Sequence, residues 1–141
     1  MQGKTLAQIW SLALGAVLVL VGIAGFLVEP SFAVGDNAQR GTLILFDING
    51  WHNVVHLLSG IVGLAMAGTA ARARLFSIGY GAVYVLVTIL GFIVGDGGYL
   101  LSIIPINTAD NILHLLIAVT GIAIGLASPV TGGARRTAAT A

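Results

Sequence analysis

Four long apolar stretches dominate this chain and limit what it can fold into. They cover residues 7–28, 51–71, 75–95 and 109–128. A helix needs about 20 apolar residues to cross the hydrocarbon layer of a bilayer, and each stretch is about that long. Charged residues make up only 8% of the chain, whereas a soluble domain usually carries about 25%. We therefore predict an integral membrane protein with four spans over residues 7–128. The composition excludes an ordinary soluble enzyme and a nucleic-acid-binding protein.

The charged residues between the stretches separate by sign. One side of the predicted fold carries the basic residues Lys4, Arg72, Arg74, Arg135 and Arg136. The other side carries Arg40 and the acidic residues Glu29, Asp36, Asp47, Asp96 and Asp110. Because basic residues concentrate in cytoplasmic loops, we predict a multi-pass protein of the cytoplasmic membrane with both termini inside. Its cytoplasmic parts are then residues 1–6, a tight turn at Arg72–Arg74 and a flexible tail over residues 129–141.

The two halves of the chain resemble each other. Gly15-Ala16-Val17 followed by Gly25-Phe26 recurs as Gly81-Ala82-Val83 followed by Gly91-Phe92. The segment Ile48-Asn49-x-x-His52-Asn53-x-x-His56 recurs as Ile106-Asn107-x-x-Asp110-Asn111-x-x-His114. Each half is then a helical hairpin of the same topology, which indicates a parallel repeat about an axis along the membrane normal. We predict an all-α fold, an up-down four-helix bundle built from two duplicated hairpins.

All three histidines lie in the matched segments, near the outer end of the predicted bundle. His52 and His56 are four residues apart and share a helix face, and Asp110 and His114 repeat that spacing. Polar side chains inside a membrane are expected to face the bundle interior. Imidazole and carboxylate groups bind transition metals, so one hypothesis is a metal site with His52, His56, His114 and Asp110 as ligands. Asn53 and Asn111 would then orient the histidine rings.

Two other interpretations of this cluster stay open. His56 and His114 are expected at equal depth on different helices, which is what the axial ligands of a single haem b require. Alternatively, the cluster holds no cofactor and ties the helices together. In that case Asn49 and Asn107 are N-caps, and Asp110 lies in the first helical turn, where a carboxylate favours the helix dipole.

The loop lengths and the motifs in the chain limit which functional classes it can belong to. The loops are too short for a soluble catalytic domain, and no Ser-His-acid pattern or phosphate-binding Gly loop is present, so the sequence favours a binding or accessory protein over an enzyme. The lipid bilayer is the expected partner, together with a larger membrane complex or further copies of the chain.

Tyr80, Tyr84 and Thr88 form a polar stripe on the third predicted helix. Such a stripe is typical of interhelical hydrogen bonding, with a proton or quinone contact as the alternative.

At the two matched segments the chain resembles a bacterial family of small four-helix membrane proteins, catalogued as a domain of unknown function, number 4383. The residues that carry this resemblance are Asn49-x-x-His52-Asn53-x-x-His56-Leu57-Leu58-x-Gly60-x-x-Gly63 and Pro105-x-Asn107-x-x-Asp110-Asn111-x-Leu113-His114-Leu115. The similarity extends from about Ile9 to Ser128. It implies the four-helix membrane fold and the importance of the Asn and His positions, but it implies no substrate or cofactor.

Overall fold

Four α-helices make up most of the computed structural model, which describes residues 3–131. In chain order they are α1 (Leu6–Val28), α2 (Gly50–Met66), α3 (Ala70–Val94) and α4 (Thr108–Ala127). A 3-10 helix at Gly35–Asn37 lies in the first long loop. Arg135, Arg136 and most of the predicted tail over residues 129–141 lie outside the described residues, so those predictions are untested.

Three of these helices are long and apolar enough to cross a membrane, namely α1, α3 and α4. Helix α2 has 17 residues, which corresponds to about 25 Å at 1.5 Å per residue. Large apolar side chains point outward along the helices: Leu20 of α1 is 66% exposed and Leu86 of α3 is 62% exposed. Such an outer surface requires an apolar environment, as expected for a membrane protein.

The predicted turn at Arg72–Arg74 is wrong. Helix α2 ends at Met66 and α3 begins at Ala70, so the turn is formed by residues 67–69 and both arginines lie in the first turns of α3. Thr69 caps α3 because its side chain accepts a hydrogen bond from the Arg72 backbone N–H. A threonine N-cap satisfies an otherwise unpaired helix donor, and this local bond sets the start of the helix.

Two short β-hairpins occupy the loops that precede α2 and α4. Strands β1 (Gly41–Leu43) and β2 (Phe46–Ile48) pair antiparallel, as do β3 (Tyr99–Leu100) and β4 (Ile104–Pro105). Ile48 is the last residue of β2, and Ile106 is the first residue after β4. They occupy matched positions in the two halves, and both are completely buried. Each hairpin therefore anchors the chain immediately before a helix that carries histidines.

The helices pack mainly as two pairs, α1 with α2 and α3 with α4. In the first pair the backbones meet at Gly15 and Gly60. A Cβ added at Gly15 would lie 2.9 Å from the Gly60 carbonyl oxygen, and one added at Gly60 would lie 2.7 Å from the Gly15 oxygen. Small residues at such crossings let helices approach closely, which increases van der Waals contact where water supplies no driving force.

Candidate metal centre

The first turns of α2 and α4 are fixed by two asparagine caps, as the sequence predicts. The Asn49 side chain accepts a hydrogen bond from the His52 backbone N–H at 3.0 Å. The Asn107 side chain does the same for the Asp110 N–H at 3.0 Å. Asp110 completes a capping box by accepting from the Asn107 N–H. These caps determine where the helices begin and therefore the direction in which His52 and Asp110 project.

The same two caps connect the halves of the chain. Asn49 donates through Nδ2 to the Ile103 carbonyl oxygen at 2.8 Å. Asn107 donates reciprocally to the Leu45 carbonyl oxygen at 2.9 Å. Each cap thus binds the tip of the hairpin that belongs to the other half. This exchange holds the N-termini of α2 and α4 next to each other.

Three titratable side chains meet where these helix ends come together. His52, Asp110 and His114 each offer one ligand atom, and these atoms lie within 4.8 Å of one another. All three residues are buried, with exposed fractions of 3%, 2% and 5%. Two imidazoles and one carboxylate form a donor set that suits zinc and other divalent transition metals.

Asp47, in β2, positions two of these groups, although nothing in the sequence distinguishes it from the other acidic loop residues. The His52 Nδ1 atom lies 2.9 Å from the Asp47 carbonyl oxygen. A carbonyl only accepts, so Nδ1 carries the proton and Nε2 keeps the lone pair that a metal needs. The Asp47 backbone N–H donates to Asp110 Oδ2 at 3.2 Å. Because the capping bond also ends on Oδ2, Oδ1 is left to act as a ligand.

His56 lies beside this group and is not one of its three members. Its ring centroid is 4.4 Å from that of His52, in an edge-on arrangement. The Nδ1 atoms of His56 and His114 are buried, and neither has a hydrogen-bond partner among the residues that the structure describes. The structure therefore brings together three of the four predicted metal ligands and leaves His56 one turn deeper on α2.

Asn53 and Asn111 contact the neighbouring helices, where the sequence led us to expect contacts with the histidine rings. Asn53 donates through Nδ2 to the Glu29 carbonyl oxygen at 2.9 Å, at the end of α1. Its side-chain oxygen lies against Gly25, and the Asn111 oxygen lies against Gly91 in the same way. The two asparagines are 1% and 2% exposed. Their observed role is to lock α2 to α1 and α4 to α3.

A small pocket between α2 and α3 reaches the histidines. Its volume is about 130 Å³, and it is lined by all three histidines together with Tyr80 and Tyr84. The Tyr84 ring packs edge-on against the His114 ring, with centroids 5.0 Å apart. Pockets for drug-sized ligands have volumes of about 300–1,000 Å³, so this pocket is smaller than such sites.

Comparison with protein families finds a match that covers almost the whole helical region. No curated protein and no solved structure was found to match the chain. The model of one protein family aligns with residues 8–127, and that family is described only as a domain of unknown function. The predicted resemblance is thereby confirmed: the chain belongs to the family of domain of unknown function 4383.

Proposed function

We propose that this protein is a multi-pass protein of the cytoplasmic membrane that binds a divalent transition-metal ion at His52, Asp110 and His114. The observation that carries the proposal is the convergence of three buried ligand atoms within 4.8 Å of one another. Buried ionisable groups are costly in an apolar environment unless they are paired or bind a metal. A metal ion would pair all three at once.

The membrane arrangement that we propose is an up-down four-helix bundle of two duplicated hairpins, with both termini in the cytoplasm. The basic residues Arg72 and Arg74 at the start of α3 support this orientation, since the acidic residues of the two long loops lie at the other ends of the helices. The reciprocal bonds of Asn49 and Asn107 support the duplication. The site is then close to the outer face.

The chemistry of the donor set supports a site with an open position. Tetrahedral zinc with three protein ligands keeps its fourth position for water or a substrate. Metal–ligand bonds of about 2.0–2.1 Å place tetrahedral ligand atoms about 3.4 Å apart, so metal binding would draw the three side chains together. The pocket lined by His52 and His114 supplies space beside them. We infer a binding role and assign no reaction to it.

A titration of the purified protein with Co²⁺ in mild detergent tests this proposal, because tetrahedral Co²⁺ absorbs visible light. We expect saturation at one ion per chain. Asp110→Asn keeps the side-chain size and an acceptor for the cap but removes the charge, and it should weaken binding by at least tenfold. His56→Ala is the matched control, since it removes a buried imidazole outside the group of three. A folded protein without saturable binding would refute the metal proposal.

A structural role for the cluster is the second candidate, and the double use of Asp110 Oδ2 favours it. That oxygen accepts from the backbone N–H groups of both Asn107 and Asp47, which joins α4 to the opposite hairpin. The protein would then be a structural or accessory subunit of a larger membrane complex or a homo-oligomer. In this case Asp110→Asn would lower the thermal unfolding midpoint, and no metal would bind to the wild-type protein.

A further inference from the structure

The pocket between α2 and α3, which lies beside the proposed metal ligands, is also lined by residues that the metal site does not use. Apolar walls are supplied by Val55, Val83 and Val87. The polar groups that line it outside the group of three are His56, Ser59, Tyr80 and Tyr84. The pocket therefore combines a hydrocarbon wall with several hydrogen-bonding groups, as a site for a specific small ligand does.

The size of the pocket limits its ligand to a single ring. An enclosed apolar cavity of about 150 Å³ can hold benzene, whereas the pocket here measures about 130 Å³ and is open on one side, so a single ring fits only if its substituents project out of the pocket. Val83 and Val55 stand at its lipid-facing side, where their exposed fractions are 54% and 40%. A ring carrying an alkyl tail could therefore enter between the two helices and leave its tail in the bilayer.

The hydrogen-bonding groups are arranged to donate. The Tyr80 hydroxyl donates to the Tyr84 hydroxyl at 2.9 Å, which frees the Tyr84 O–H to donate to a further acceptor. His56 is only 9% exposed, and its Nδ1 lacks a hydrogen-bond partner within residues 3–131. Buried polar groups normally have partners, so a ligand with acceptor oxygens would complete this site.

The equivalent groove on the other side of the molecule supplies an internal comparison. The match between the two halves aligns Tyr80 with Leu14 and Ser59 with Ile117, and both Leu14 and Ile117 line a groove between α1 and α4. Tyr84 aligns with Leu18. The tyrosine and serine hydroxyls of the pocket between α2 and α3 thus have no counterpart at the aligned positions, and the hydroxyl in the other groove belongs to Thr120, which bonds to the Leu116 carbonyl oxygen of its own helix.

We propose that the pocket between α2 and α3 binds the ring of a lipid-soluble quinone. The two carbonyl oxygens of a quinone accept hydrogen bonds, its planar ring fits between valines, and its tail belongs in the bilayer. Tyr84 and His56 are the donors to the ring. This inference goes beyond the proposed metal site, because neither residue belongs to the group of three.

Methyl NMR of the detergent-solubilised protein, titrated with decyl-1,4-benzoquinone, whose ring carries no substituent besides the tail, tests this inference. We expect saturable shifts at the Val55, Val83 and Val87 methyl groups and none at Val17. Val83→Trp should fill the entrance and weaken binding by at least tenfold. Val17→Trp is the matched control, since Val17 aligns with Val83 and is similarly exposed at 53%.

A second variant tests the hydrogen bond directly. Tyr84→Phe removes one neutral hydrogen bond and should weaken quinone binding by about three- to tenfold. Shifts that grow linearly without saturation, or equal effects of the two tryptophan variants, would overturn the proposal. The titration is run with and without EDTA, and binding is expected in both cases. If the protein binds no metal, the quinone titration is still expected to saturate. If quinone does not bind, the result of the Co²⁺ titration is unaffected.

Discussion

Replacing Gly25 by alanine probes the contact that joins α1 to α2 beside the site. A Cβ at this position would overlap the side-chain oxygen of Asn53, which is 1% exposed and has little room to move. Alanine normally stabilises a helix interior relative to glycine by about 1 kcal/mol. Overpacking costs about 1–3 kcal/mol, and loss of the bond from Asn53 to the Glu29 carbonyl would cost about 0.5–1.5 kcal/mol. The costs exceed the gain, so we expect a net destabilisation of about 0.5–3.5 kcal/mol.

The free energy of unfolding in mixed detergent–SDS micelles measures this effect. Gly79→Ala is the control, because Gly79 lies within α3 and an added Cβ would meet nothing within 4 Å among the described residues. This control should be neutral or slightly stabilising. In the double variant Gly25→Ala/Asn53→Ala the overlap is gone, so the two changes should cost less together than the sum of their separate costs. Equal stabilities of the Gly25→Ala and Gly79→Ala proteins would refute the reasoning.

Three further predictions concern the caps and the tyrosine pair, and each is checked by the same unfolding assay. Asn107→Ala removes both the cap of α4 and the bond to Leu45, and should cost about 1–3 kcal/mol, whereas Asn107→Asp keeps the capping acceptor and should recover part of that loss; an unchanged stability of Asn107→Ala would contradict the structure. Thr69→Ala should cost about 0.5–2 kcal/mol and Thr69→Ser much less, because Thr69 caps α3, and equal costs would argue against that cap. Tyr80→Phe removes the bond to the Tyr84 hydroxyl and should cost about 0.5–1.5 kcal/mol, so an unchanged stability would argue against that bond.

The parts of the site that the sequence predicted are those that depend on local spacing and on the matched segments. Asn49 and Asn107 were identifiable as caps because each stands three residues before the residue whose backbone N–H it accepts. Likewise, His52 and Asp110 occupy equivalent positions in the two segments, which indicated that they would lie near each other. The structure adds that His56 is outside the group of three.

The two β-hairpins could not be predicted, because their tips lack the usual turn residues. Ile44 adopts a φ of 61° and Leu101 a φ of 52°, in the left-handed region that favours glycine or asparagine. A β-branched isoleucine in that region gives no turn signal in the sequence. Without the hairpin, nothing marked Asp47 as the residue that orients His52.

The turn between α2 and α3 and the contacts of the asparagines differ from the sequence prediction for two different reasons. The charges of Arg72 and Arg74 predict a turn at these residues, whereas the turn and cap signal lies just before them, in Gly68-Thr69. The contact of Asn53 with Gly25 joins residues of different helices, and only the packing of α1 against α2 brings them to the same depth. Sequence spacing within one helix does not contain that information.

The most direct test of the metal proposal is the metal content of the protein purified in mild detergent from its native membrane, measured with X-ray absorption at the metal edge. We expect one transition-metal ion per chain, bound by two imidazole nitrogens and one carboxylate oxygen at about 2.0–2.2 Å. His56→Ala should leave this content unchanged, and Asp110→Asn should abolish it. A colourless, well-folded preparation without metal would contradict the account, as would a haem absorption band that is lost in His56→Ala.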